Sequence, residues 1–115
     1  MHDKVLWFNR VAPMHSTSPI ILGIDPGYDR LGWSVALSRT QPLQILAYGC
    51  IVTDKKADLM DRYSQIITEL APVLDLYHPT VAAIESLFFS KNQTTAMRVA
   101  EVRGVIIAQL LAHQL

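Results

Sequence analysis

The sequence predicts an α/β domain whose mixed sheet is built in the order β-β-β-α-β-α from residue 20 onward, preceded by a loose leader. Three observations carry this prediction. Four short apolar runs rich in β-branched residues are bounded by turn residues. A long segment with apolar residues at helical spacing lies between the third and fourth runs. A second helical segment closes the chain.

With 115 residues, the chain has room for one domain. Residues 1–19 hold Pro13 and Pro19 with Ser16, Thr17 and Ser18 between them and show no sustained period. They are expected to form a loose N-terminal extension, either disordered or docked on the domain through Trp7 and Phe8, and 20–115 the partial domain.

Ile20-Ile21-Leu22-Gly23-Ile24-Asp25 has no polar face, as expected of a strand buried on both sides, and Pro26-Gly27 ends it. Leu31 to Leu37 and Ile45 to Val52 are the second and third strands, joined by the Gln41-Pro42 turn in antiparallel hairpins. Asp58 is placed to cap a helix running to about Tyr77, with Leu59, Tyr63, Ile66, Ile67, Leu70 and Leu74 on one stripe and Pro72 bending its late part. After His78-Pro79-Thr80, the run Val81–Glu85 reads as a buried strand. A crossover through the helix makes it parallel to the first strand. The last helix starts after Asn92. Ala96, Ala100, Gly104, Ile107 and Leu111 form a small-residue face suited to close packing, while Val102, Val105 and Ile106 lie on the other side. Such a helix needs two surfaces to pack against.

Half of the residues are hydrophobic, and 10 basic residues balance 10 acidic ones. The chain can therefore fill a core, and its net charge gives no general attraction to nucleic acid; a DNA surface has to come from a local cluster. The single cysteine, Cys50, excludes an internal disulfide, suits a reducing compartment and is expected to serve packing. No apolar run approaches the roughly 20 residues that cross a bilayer, and the first residues do not read as a secretory signal. The expected location is the cytoplasm, with no membrane partner. The four histidines share no ligand spacing and are assigned no metal.

Two acids stand out by position. Asp25 ends the first strand and Glu85 the fourth, each carried to the sheet edge by an apolar run. If the strands are parallel neighbours, both carboxylates emerge at the same end. Adjacent carboxylates repel unless a cation sits between them, and oxygen ligands suit Mg²⁺ or Mn²⁺. Such a site can drive attack of water on a phosphodiester.

Leu22-Gly23-Ile24-Asp25-Pro26-Gly27 resembles the opening of the RuvC-type Holliday junction resolvases (crossover junction endodeoxyribonucleases). The run Ala83-Ile84-Glu85-Ser86-Leu87-Phe88-Phe89-Ser90-Lys91-Asn92 is similar to the same family's strand, glutamate, aromatic loop and Lys-Asn. Arg103-Gly104-Val105 also matches. The resemblance, over about residues 20–113, implies an RNase H-like fold and a metal-dependent endonuclease that resolves four-way DNA junctions in bacterial recombination and repair. It implies that Asp25 and Glu85 are catalytic metal ligands and that Phe88 stacks on junction bases. Lys91, Asn92 and Arg98 fall in the DNA-binding set. Implied partners are four-way junction DNA, a second copy in a homodimer, and the RuvA–RuvB branch-migration complex.

The family completes its metal site with two more acids on a C-terminal helix past a fifth strand. The chain reads as C-terminally truncated by comparison: Asp54, Asp58, Asp61, Asp75 and Glu101 lie in the wrong context. Little nicking activity is expected of this polypeptide alone, and the edge of Val81–Glu85 is expected to be open and prone to association. Two alternatives remain: a non-catalytic relic that keeps a dimer or DNA surface, and a fragment of an actin-like phosphotransferase, which also opens with Gly-Ile-Asp.

Overall fold

The computed structural model describes the backbone of residues 5–9 and residues 19–38, 42–86 and 92–115. The elements are β1 (Val5–Asn9), β2 (Ile20–Asp25), β3 (Arg30–Leu37), β4 (Gln44–Val52), α1 (Leu59–Tyr77), β5 (Val81–Glu85) and α2 (Gln93–Ala112). The strands form one sheet in the order β1-β5-β2-β3-β4. β2, β3 and β4 are antiparallel neighbours, and β5 runs parallel to β2. The mixed sheet and the parallel fourth run are as expected.

Strand alternation puts Leu22 and Ile24, Leu31 and Val35, Ile51, and Ala82 and Ile84 on one face. They form a single core with Tyr63, Ile66, Leu70, Val73 and Leu74 of α1 and Val102, Ile106 and Leu110 of α2. Seven of these, Leu22, Leu31, Ile66, Leu70, Ile84, Ile106 and Leu110, are large side chains with no exposed surface, each contributing about 1.5–3 kcal/mol. The domain is thus two layers, with both helices on one side of the sheet. That corrects the reading of the first strand as buried on both sides. Ile21 and Gly23 are only half-buried, and the run looked uniformly apolar because its second face carries isoleucine and glycine instead of polar residues.

Part of the leader docks on the domain, in the form of a strand that local pattern had not indicated. Val5–Asn9 is a strand, paired antiparallel with β5 from Val5 opposite Glu85 to Asn9 opposite Val81. The edge of β5 is therefore covered by this chain's own amino-terminal segment, not open. The physical reason is that β5 offers a full row of backbone donors and acceptors, and Val-Leu-Trp-Phe is strand-forming. Its partner lies near the far end of the sequence, so local pattern could not reveal the pairing.

α1 is capped by position and not by side chain: Asp58 is extended at the N-cap but makes no side-chain cap hydrogen bond. The helix continues through Pro72, because Val73 and Leu74 beyond it are buried and repay the lost backbone bond. His78, in the left-handed region at φ 45°, ends it by donating its N–H to the Leu74 carbonyl. α2 buries Val102, Ile106, Gln109 and Leu110. The small-residue face, expected to be the packed one, is the outer one: Ala100, Gly104 and Leu111 are exposed, and a Cβ on Gly104 would meet nothing within 4 Å. The larger residues win because they fill more of the space above the sheet. Gln109 locks the two helices by donating from Nε2 to the Ile67 carbonyl at 2.8 Å. Among the described residues no helix is long and apolar enough to cross a membrane.

Candidate active site

The ladder between β2 and β5 pairs Gly23 with Ala83 and Ile24 with Ile84. Asp25 and Glu85 are the next residue on each strand, so their backbones lie about one strand spacing apart, roughly 4.8 Å. Having the parity of Gly23 and Ala83, both leave the sheet on the face away from the helices. Both are exposed, and both line one groove of about 490 Å³. The two acids singled out from sequence are brought together at one mouth of the sheet.

The groove floor is paved with small residues, Gly23, Gly32, Ser34 and Ala83. Gly32 lies opposite Asp25 in the β2–β3 ladder, where an added Cβ would touch the Asp25 Cβ at 3.6 Å. At Gly23 a Cβ would come 2.9 Å from the Ser34 hydroxyl. These small residues leave the floor shallow beneath the two carboxylates, and Trp33 lines the same groove.

Hard oxygen donors held side by side on a rigid edge fit a divalent cation such as Mg²⁺ or Mn²⁺, which binds through one or two carboxylates and keeps water in its remaining positions. Among the described residues no third His, Cys, Asp or Glu joins them as a metal-binding group.

Behind Asp25, the turn Pro26–Asp29 is held from below. Arg62 of α1 is only 8% exposed. It donates from Nε to the Thr53 hydroxyl at 3.1 Å and from Nη2 to the Tyr28 carbonyl at 3.2 Å. It also forms an ion pair with the Asp29 carboxylate. Its guanidinium carbon lies 5.2 Å from the Tyr28 ring centroid, within cation–π range. Thr53 adds its own hydroxyl to the Tyr28 carbonyl and its N–H to the Asp29 carbonyl. Sequence pattern missed this cluster, although a lone arginine on the apolar stripe of α1 was the available signal.

On the other side of the same turn, a second groove of about 330 Å³ is lined by Tyr28, Arg30, Lys55, Thr95 and Val99, among others. Arg30 and Lys55 are exposed and form no ion pair among the described residues.

The expected DNA-binding residues fare unevenly. Phe88 and Lys91 lie outside the described residues. Asn92 is the N-cap of α2, its side chain accepting from the Thr95 N–H at 3.2 Å. Arg98 has a partner on its own helix, the Glu101 carboxylate at 3.5 Å, and Glu101 also accepts from the Tyr63 hydroxyl. Cys50 is exposed at the edge strand β4, which corrects the expectation that it serves packing: β4 reaches past the helices, and only Ile51 of it is buried.

Comparison with known proteins is consistent in one direction. The family model for crossover junction endodeoxyribonuclease RuvC matches residues 21–115. A RuvC of Petrotoga mobilis is 41% identical over 88 residues, 76% of this chain and 54% of that protein. The RuvC of Brachyspira hyodysenteriae is 43% identical over 96 residues, 84% of this chain and 60% of that one. The chain thus spans about half the length of the curated relatives it matches. Among solved structures, Thermus thermophilus RuvC in complex with Holliday junction substrate superposes with a TM-score of 0.77 at 23% identity, covering 83% of this chain and 58% of that chain. This last likeness is one of fold.

Proposed function

The chain belongs to the crossover junction endodeoxyribonuclease RuvC family, and on that premise we propose that its sheet edge is the nuclease site of a resolvase acting on four-way DNA junctions. One observation carries the reading: Asp25 and Glu85 stand next to each other at the mouth of a flat groove, at the ends of parallel strands.

Asp25 and Glu85 would hold a divalent cation, Mg²⁺ or Mn²⁺ by the hardness of their oxygen donors. When bound, that ion supplies charge neutralisation at the phosphate and lowers the pKa of a water. The chain's own residues do the rest. The glycines and Ser34 of the floor let a phosphodiester approach the carboxylates, and rigid β2 and β5 fix the carboxylate separation. Arg30 and Lys55 offer cationic contacts to a neighbouring backbone phosphate. The exposed small-residue face of α2, with Ala100, Gly104 and Leu111, suits a second copy in a homodimer, whose two-fold axis matches the near symmetry of a junction. The bacterial cytoplasm, where such DNA lies, is the working compartment.

Hydrolysis needs both the attacking and the leaving oxygen held. Two carboxylates hold less than a full two-metal site, so this polypeptide alone binds junctions and cuts them poorly.

The test is binding of a labelled four-way junction and of a linear duplex of equal length, in Ca²⁺, followed by exchange into Mg²⁺. Preference for the junction is expected, and it should depend on Arg30 and Lys55. Equal affinity for both DNAs would overturn the resolvase reading. Efficient incision in Mg²⁺ would overturn the claim of poor cutting.

A further inference from the structure

We propose that Arg62 is the positioning residue of this site: from α1 it clamps the turn Pro26–Asp29 and so fixes the direction in which the Asp25 carboxylate leaves β2. The inference rests on the reading of Asp25 and Glu85 as a metal-binding pair and adds a residue to it.

A buried guanidinium is costly unless its donors find acceptors. Among the described residues, the partners of Arg62 other than Thr53 belong to the turn: the Tyr28 carbonyl at 3.2 Å, the Asp29 carboxylate and the Tyr28 ring. Thr53 links the same turn to the end of β4 through the Tyr28 carbonyl and, at 3.0 Å, the Asp29 carbonyl. Two consecutive carbonyls and one carboxylate are therefore held from two different elements. Upstream, Pro26 restricts its own φ and that of Asp25 is restricted by preceding a proline. Gly27 admits no side chain, since a Cβ there would overlap the Arg30 carbonyl. None of the described glycines has positive φ, so Gly27 is required by close approach and not by backbone hand.

Stability alone is a weak account of this cluster. Asp29 keeps a side chain 43% exposed, and a buried ion pair often contributes little compared with an apolar replacement. The cluster instead makes the turn rigid at the one point where a floppy turn would let a site carboxylate swing. A displacement of about 1 Å at such a group can cost on the order of a hundredfold in rate.

The experiment compares the parent chain with Arg62→Lys, which keeps charge but loses the planar fork, and with Thr53→Val. Three quantities are read: amide exchange at Tyr28–Arg30, the Mn²⁺ dissociation constant by calorimetry, and the thermal midpoint. Arg62→Lys is expected to speed exchange at the turn by about tenfold and to weaken Mn²⁺ binding by roughly tenfold, more than any shift in midpoint explains. Thr53→Val should move both in the same direction by less, and it covers the case in which Arg62→Lys fails to fold. Faster exchange with Mn²⁺ affinity unchanged in both variants would overturn the inference, leaving Arg62 a structural clamp only. A parent chain that takes up no Mn²⁺ would overturn the metal reading, and the positioning role with it, while the exchange result still stood.

Discussion

Val5 lies opposite Glu85 across the β1–β5 ladder, so the strand nearest the amino terminus closes the sheet edge beside one of the two site carboxylates. Deleting residues 1–19 exposes that edge along all of β5. Light scattering across a concentration series should show association beyond that of the parent chain. A deletion variant as monodisperse as the parent would show that β1 protects nothing.

The two carboxylates predict opposite effects with and without metal. In chelator, Asp25→Asn or Glu85→Gln relieves repulsion between like charges and should leave the melting temperature unchanged or slightly raised. In Mg²⁺ the parent gains stability through binding to the folded state, and each variant should lose most of that gain. Equal metal-induced shifts in all three proteins would separate the pair from the cation.

Neighbouring isoleucines on α1 should differ sharply. Ile66 is fully buried, whereas Ile67 is 43% exposed. Ile66→Ala should cost about 2–5 kcal/mol, and Ile67→Ala within roughly 1 kcal/mol. Denaturant midpoints that shift equally would contradict the placement of the helix on the sheet.

Tyr63 links stability to alkaline pH. Burial first, then its hydrogen bond to the Glu101 carboxylate, pushes its pKa up from 10.0 to about 12. Its folded value is raised, so the folded state holds the proton more tightly. The corresponding stability is complete below about pH 10 and is lost as pH rises towards 12. Tyr63→Phe should flatten the fall in melting temperature across that window. A profile identical to that of the parent would refute the assignment.

Arg30 and Lys55 flank the groove beside the Asp25 turn. Replacing either with alanine should weaken junction binding at low salt and reduce the slope of log affinity against log salt by about one. Arg98→Ala, whose side chain already meets Glu101, should change the slope less. The reverse order would return the phosphate contact to α2.

The placement of Asp25 and Glu85 at strand ends was legible in the sequence, because a strand of apolar residues ending in a carboxylate is a local pattern. The parallel partnership of β2 and β5 also followed, since a helix between two strands imposes a crossover. The groove floor was not legible: Gly23, Gly32, Ser34 and Ala83 meet only through strand register. Arg62 was hidden for a similar reason, as its partners Tyr28, Asp29 and Thr53 come from two other segments of the chain.

Local pattern was enough to set which segments are strands and helices from residue 20 onward, and which carboxylates end them. Periodicity and turn chemistry act over a few residues and leave a local trace. Tertiary structure alone decided that Val5–Asn9 joins the sheet, that α2 buries Val102 and Ile106 in place of its small-residue face, and that Arg62 reaches the turn behind Asp25. Each of those outcomes is a competition for one shared surface, settled by which residues fill it or satisfy its hydrogen bonds best.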